Sequence, residues 1–238
     1  MGLTTERMSM TQTKQSGFTL VELAIALMVI GLLIGGVLKG QELIENARIT
    51  RFIKDINDYD TAVMIFRNTY NALPGDLRQP TRLPNCNTAP CNNLTSVGTG
   101  TVATHIKSAN FWRHLERTGL ITGINDAETY PRISPQNPWG THTGMYHTII
   151  GNATLTNDPR QHRFLTVAGA SQGMPASRML QIDTKIDDGK PLSGSVQQQG
   201  ITATWESDEL CYNTSTLEYL QDSSIRRCSL GILSSTMN

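Results

Sequence analysis

Apolar residues concentrate in one run, Phe18 to Leu38, whose single charge is Glu22. A helix over that run spans about 30 Å, the thickness of a bilayer core. A short polar leader with Arg7 and Lys14 precedes it, and Lys39, Glu42 and Arg48 follow. The pattern then changes without a break. Ile44, Ala47, Phe52, Ile56, Tyr59, Val63, Phe66 and Tyr70 recur mostly at steps of three or four, which puts them on one helical face. Glu45, Arg48, Lys54, Asp55, Asp58 and Arg67 fall mostly off that face. No proline intervenes before Pro74. The pattern therefore predicts one helix from about Phe18 to about Thr69, apolar all round in its first half and amphipathic in its second. Gly31, Gly35, Gly36 and Gly40 weaken its middle, each by about 0.5–1 kcal/mol relative to alanine.

Past the helix the periodicity stops. Pro74-Gly75 is a turn signal, and residues 77 to 105, with Pro80, Pro84, Pro90, Cys86 and Cys91, read as a loop. Phe111 to Ile121 predicts a short helix with Phe111, Leu115 and Trp112 on its apolar side and Gly119 as C-cap. Pro138-Trp139-Gly140 reads as a turn into a sheet. Met145–Ile150, Arg163–Ala168, Ile201–Glu206 and Leu230–Leu233 are strand candidates, and Ala176 to Ile182 is helical. The expected fold class is α+β: a small antiparallel sheet laid on the amphipathic half of the long helix.

Composition narrows the function classes. The chain has 238 residues, and twenty Lys+Arg balance twenty Asp+Glu. That balance excludes a uniformly basic nucleic-acid binder and a polyacidic tail, and it leaves room for a local basic patch. A single long apolar run excludes a polytopic membrane protein.

Three readings of the run compete. A cleaved secretory signal needs a shorter apolar stretch and a small-x-small site after it, and neither is present. A plain signal anchor fits the basic flank. Cleavage on the near side of the run would leave the apolar helix on the mature chain. Glu22 separates the last two readings. A carboxylate is costly inside a bilayer, and a plain anchor has no use for it. Cleavage after Gly17 would create a matching cation, the α-amino group of Phe18.

Gly17-Phe18-Thr19-Leu20-Val21-Glu22-Leu23 resembles the signature of type IV prepilins and type II secretion pseudopilins. The resemblance implies that a prepilin peptidase cuts between Gly17 and Phe18 and methylates the Phe18 amine. It implies that Glu22 packs against the Phe18 amine of a neighbouring subunit during filament assembly. It divides the chain into a leader (1–17), a membrane and filament-core half-helix (18–38), an amphipathic half-helix (39–70) and a globular pilin-like domain (71–238). Ala72-Leu73-Pro74-Gly75-Asp76 recurs after the long helix in many pilin-like proteins. Many of them also carry a helix-breaking proline where this chain has Gly35-Gly36.

Four cysteines stand at 86, 91, 211 and 228. Their spacings match zinc sites poorly, and export by the N-terminus favours two disulfides. Of three connectivities the simplest is Cys86–Cys91 with Cys211–Cys228. The second loop resembles the C-terminal disulfide-bounded region of many pilins. His105, His114, His142, His147 and His162 are scattered, and no nucleophile or phosphate-loop motif appears; no enzyme activity is expected. No cofactor is expected either. Asp183, Asp187 and Asp188 are calcium candidates, but they lack the spacing of an EF-hand, and Asp188-Gly189 favours a plain turn. Calcium stabilises some pseudopilins by other motifs. Arg226-Arg227, with Arg78 and Arg82, read as solvated surface or subunit contact ahead of a patch for nucleic acid.

The expected function is a structural subunit, a minor one, of a type IV pilus or type II secretion pseudopilus. The expected partners are prepilin peptidase, other pilin or pseudopilin subunits, an inner-membrane assembly platform and the membrane itself. The expected location is the bacterial inner membrane, single pass with the globular domain in the periplasm, then a periplasmic or extracellular filament. Two alternatives remain: a tip-located adhesin or DNA-binding pilin, and a binding protein tethered by an uncleaved signal anchor.

Overall fold

The computed structural model describes residues 19–93, 97–146, 162–167, 174–199, 211–213, 215–220 and 228–237. The chain divides into two compact units, Met1–Asn46 and Ala47–Asn238. Helix α1, Leu20–Tyr70, begins in the first and ends in the second. It is unbroken through Gly31, Gly35, Gly36 and Gly40.

In the second unit α1 buries Ile49, Phe52, Ile56, Ala62, Val63 and Phe66, with Tyr59 half-buried between them. The packed stripe thus starts at Ile49. Ile44 and Ala47, expected on it, are exposed. Helical geometry explains the shift: Ile49, Phe52, Ile56, Val63 and Phe66 share one face at steps of three, four and seven, whereas Ala47 falls on the far side of the helix and Ile44 lies in the first unit.

Helix α2 runs His105–Arg117 and so starts earlier than the apolar pattern suggests. Thr104 is its N-cap, and its hydroxyl oxygen accepts the Lys107 N–H at 3.2 Å, satisfying one orphan donor of the first turn. The helix ends at Thr118, and Gly119 follows at φ +71°, the left-handed position that favours glycine. Within the loop before α2, Pro80–Arg82 forms one 3₁₀ turn. Helix α3, Ala176–Ile186, is a turn longer than expected.

The sheet has four antiparallel strands in the order β1-β2-β4-β3: His142–Tyr146, Arg163–Val167, Ser229–Leu233 and Val196–Gln199. Strand β1 enters three residues before its expected start, and residues 147–150 of that candidate lie outside the described residues. So do Ala168 and the whole of Ile201–Glu206. Strand β3 had no apolar alternation to announce it.

Register builds the core. Met145 pairs with Phe164, Phe164 with Ile232, and Ile232 with Val196. This row crosses all four strands on one face, and every member is buried. Phe164 meets Tyr59 of α1 at 6.2 Å and Phe111 of α2 at 6.4 Å between ring centroids. Trp112, fully buried, stands edge-on to Tyr59 at 5.1 Å. Each such side chain contributes about 1.5–3 kcal/mol by leaving water. The C-terminal segment closes the unit: the Asp60 carboxylate on α1 accepts from the Ser234, Ser235 and Thr236 hydroxyls and from the Ser235 N–H at 3.0 Å.

The Ala72–Asp76 segment shows why it needs its glycine and aspartate. Gly75 lies at φ +76°, and a Cβ there would overlap the Lys107 carbonyl oxygen of α2. Its N–H donates to His114 Nδ1 at 3.0 Å. Asp76 is buried and takes Lys107 Nζ at 2.6 Å. Lys107 also donates to Thr99 Oγ1 at 2.6 Å and to the Thr101 carbonyl at 2.9 Å, while Gly100 N–H donates to Asp76 Oδ2 at 2.7 Å. One buried ion pair thus holds the end of α1, the start of α2 and the 97–101 loop together.

Candidate functional site

The first residues of α1 form a capping box. Thr19 N–H donates to Glu22 Oε2 at 2.9 Å, and the Thr19 hydroxyl donates to the same oxygen at 3.0 Å. Thr19 Oγ1 accepts the Glu22 N–H at 3.2 Å. Reciprocal bonds of this kind satisfy donors that a helix start otherwise leaves open. They also place a carboxylate at the helix N-terminus, where the macrodipole favours negative charge. Among the described residues both bonds to the carboxylate end on Oε2, and Oε1 receives none. The Thr-x-x-Glu spacing is visible in the sequence, and the structure joins its two side chains as a cap.

Behind this box the helix has no packing partner among the described residues. From Leu20 to Leu38 every large apolar side chain is exposed, Leu20 by 87% and Leu32 by 78%. A Cβ on Gly31, Gly35, Gly36 or Gly40 would meet open space. Nothing among the described residues therefore uses their small size, whereas close approach of another helix would. An apolar surface this large needs lipid or other helices around it, and the segment is long and apolar enough to cross a membrane.

Residues 12–38, which contain this box and the apolar run, match the prokaryotic N-terminal methylation motif. The chain carries the type IV prepilin signature. The same signature marks pseudopilins, and the long helix with its small antiparallel sheet is the α+β architecture of a pilin-like fold. No curated protein and no solved structure matches the chain. Of the residues carrying the signature, Gly17 and Phe18 lie outside the described residues, while Thr19 and Glu22 are seen in contact.

The other sequence candidates fall elsewhere. Cys86 is bonded to Cys91 and Cys211 to Cys228, with Cα separations of 5.3 and 5.9 Å. Cys228 immediately precedes β4 and exchanges backbone hydrogen bonds with Met174 before α3. The second bridge therefore ties Cys211, and Leu220 hydrogen-bonded to it, to the start of β4 and the segment before α3. Cys86, Cys91 and His114 cluster as a metal site would, but the sulfurs are joined to each other. His114 is buried, its Nδ1 accepts from Gly75 N–H, and its Nε2 lies 3.3 Å from the Cys91 carbonyl. Burial pulls its pKa down to about 4, so it is a neutral structural histidine. His162 is also buried, between Val102 N–H and the Met237 carbonyl. His105 stacks on Tyr130, and His142 Nδ1 lies 2.8 Å from the Ser134 carbonyl. His147 lies outside the described residues, as do Arg226 and Arg227. The described histidines are thus engaged separately rather than gathered in one site.

Asp183, Asp187 and Asp188 bring carboxylate oxygens within 4.8 Å of one another. Each already accepts hydrogen bonds from the chain. Asp183 takes the Tyr219 hydroxyl at 2.8 Å and Gly189 N–H at 3.1 Å. Asp187 takes Val196 N–H at 3.0 Å, and Asp188 takes Lys190 N–H at 2.9 Å. The three carboxylates staple the turn from α3 into β3, with Gly189 at φ +73°. Burial pushes the Asp183 carboxyl up to about 6, against the lowering by the Tyr219 hydrogen bond.

Proposed function

We propose that this chain is a minor structural subunit of a type IV pilus or a type II secretion pseudopilus. Prepilin peptidase removes residues 1–17 and methylates the new Phe18 amine. The apolar half of α1 then holds the subunit in the inner membrane, with the globular unit in the periplasm, until an assembly platform moves it into a filament. There its exposed apolar surface packs on the helices of other subunits.

The observation that carries this reading is the capping box at the head of a fully exposed apolar helix, inside the matched methylation motif. Thr19 orients the Glu22 carboxylate through Oε2, so that Oε1 stays available for a cation. The Phe18 amine of an adjacent subunit is a cation of the right kind, produced by the same cleavage. Pairing fixes the axial register of neighbouring helices, because an unmatched carboxylate inside a bundle of apolar helices is costly.

The test is incorporation into sheared filaments in cells that carry the matching assembly system. Glu22→Ala should be processed normally and accumulate in the membrane, with its filament content reduced at least tenfold. Wild-type filament content for Glu22→Ala would remove the register role.

A further inference from the structure

An open cleft of about 610 Å³ lies where α1 ends. Arg67 and Tyr70 from the last turn of α1, Arg78 and Arg82 from the segment that follows, and Gly98 and Gly100 from the facing loop all line it. Three arginines therefore contribute to the lining of one cleft. The one carboxylate in the lining, Asp76, is neutralised by Lys107 Nζ at 2.6 Å. The C-terminus of α1 adds a partial negative charge, which Arg67 in the last turn offsets. None of the ion pairs among the described residues includes Arg67, Arg78 or Arg82.

Each arginine is instead aimed by an uncharged contact. Arg67 Nη1 donates to the Thr236 carbonyl at 2.7 Å. Arg78 Nη2 reaches the Gly98 carbonyl at 3.4 Å, and its side chain fills the place a Cβ on Gly98 would take. The Arg82 guanidinium lies 6.0 Å from the centroid of the Tyr70 ring, which is itself held by Phe66 at 4.7 Å. A guanidinium has five N–H donors, so most of each fork stays open to solvent. Three oriented cations on one cleft, none of them in an ion pair among the described residues, are an anion site in form. A single protein carboxylate would bring one charge to three. Phosphate groups bring more charge and oxygens that match the guanidinium fork two at a time.

We propose that this cleft binds phosphate groups, with Arg67, Arg78 and Arg82 as the ligands. The source is a free polyphosphate-type anion or the backbone of a nucleic-acid strand, and two probes separate these. The full chain in detergent is titrated at low salt with inorganic pyrophosphate and, separately, with single-stranded dodecathymidylate. Arg78→Gln and Arg82→Gln should each weaken binding about tenfold, the loss of one charge-assisted contact of about 1.4 kcal/mol. The double variant should abolish it, and Lys185→Gln, an exposed charge elsewhere, should leave it unchanged. Near-UV circular dichroism confirms that these surface variants stay folded. Pyrophosphate binding without strand binding assigns a free anion. Strand binding whose salt dependence falls by about 0.7 per arginine removed assigns a backbone. Three results would overturn the proposal: no binding of either probe, equal loss in Lys185→Gln, or binding of hexaglutamate as tight as that of both phosphate probes. The site does not depend on filament assembly, and intact mass on the same preparations reads Gly17–Phe18 processing separately.

Discussion

Removing the Lys107 ammonium should destabilise the globular unit more than any change to an exposed charge. Lys107 and Asp76 are 2% and 3% exposed, and their charged atoms stand 2.6 Å apart. Lys107→Met keeps most of the buried stem, so packing changes little. It strips Asp76 of its counter-charge and leaves Thr99 Oγ1 and the Thr101 carbonyl without the donor they now have. Breaking a buried pair on one side costs about 3–5 kcal/mol, because the remaining charge is stranded. At about 2–4 °C per kcal/mol for a unit of this size, the melting temperature should fall by about 6–20 °C. Near-UV circular dichroism of the detergent-solubilised chain follows the transition, since Trp112 is fully buried beside Tyr59 and Phe111. Asp76→Asn/Lys107→Met is the decisive companion. The amide oxygen can still accept Gly100 N–H, and no charge is left buried, so about half the loss should return. A single variant within about 1 kcal/mol of wild type, or a double variant no better than the single, would refute this reading of the pair.

Two other perturbations follow from the same neighbourhood and from the turn after α3. Gly75→Ala combines a left-handed backbone with overlap on the Lys107 carbonyl; it should cost about 2–5 kcal/mol, and a melting temperature within 2 °C of wild type would contradict the close approach. The pH profile should show compensation. His114, held down at about 4, stays neutral while the unfolded chain takes up a proton, so its contribution is full above pH 6.5 and is lost as pH falls toward 4. Asp183, raised to about 6, takes up its proton in the folded state first, so its contribution grows as pH falls from 6 toward 3.8. These two groups should therefore largely offset each other between pH 6.5 and 4. Asp183→Asn should lose about 3 kcal/mol over that range, and equal slopes for the two proteins would contradict the opposing assignment.

The long helix was legible because its signal is redundant: an apolar run, a 3.6-residue period and no proline. The point where packing begins was not. Ile44 and Ile49 are equally apolar, yet Ile49 is buried within the second unit and Ile44, in the first, is exposed. Helix α2 extends ahead of its apolar pattern because its first turn, His105-Ile106-Lys107, has no apolar face and depends on the Thr104 cap. Strand β3, Val196-Gln197-Gln198-Gln199, was invisible to periodicity, since two of its buried residues are glutamines. The prepilin signature was legible because its residues are contiguous. The Asp76–Lys107 pair joins residues 31 positions apart, and the cleft sets the end of α1 and the segment after it against the loop carrying Gly98 and Gly100; only the fold brings these together.

The central claim is tested most directly at the N-terminus of the protein itself. The membrane-extracted chain is analysed by intact mass and N-terminal sequencing from cells with and without prepilin peptidase. A methylated Phe18 start that appears only with the peptidase is the result expected of a filament subunit. An intact Met1 in both cells would contradict it and leave a tethered globular unit with no filament role.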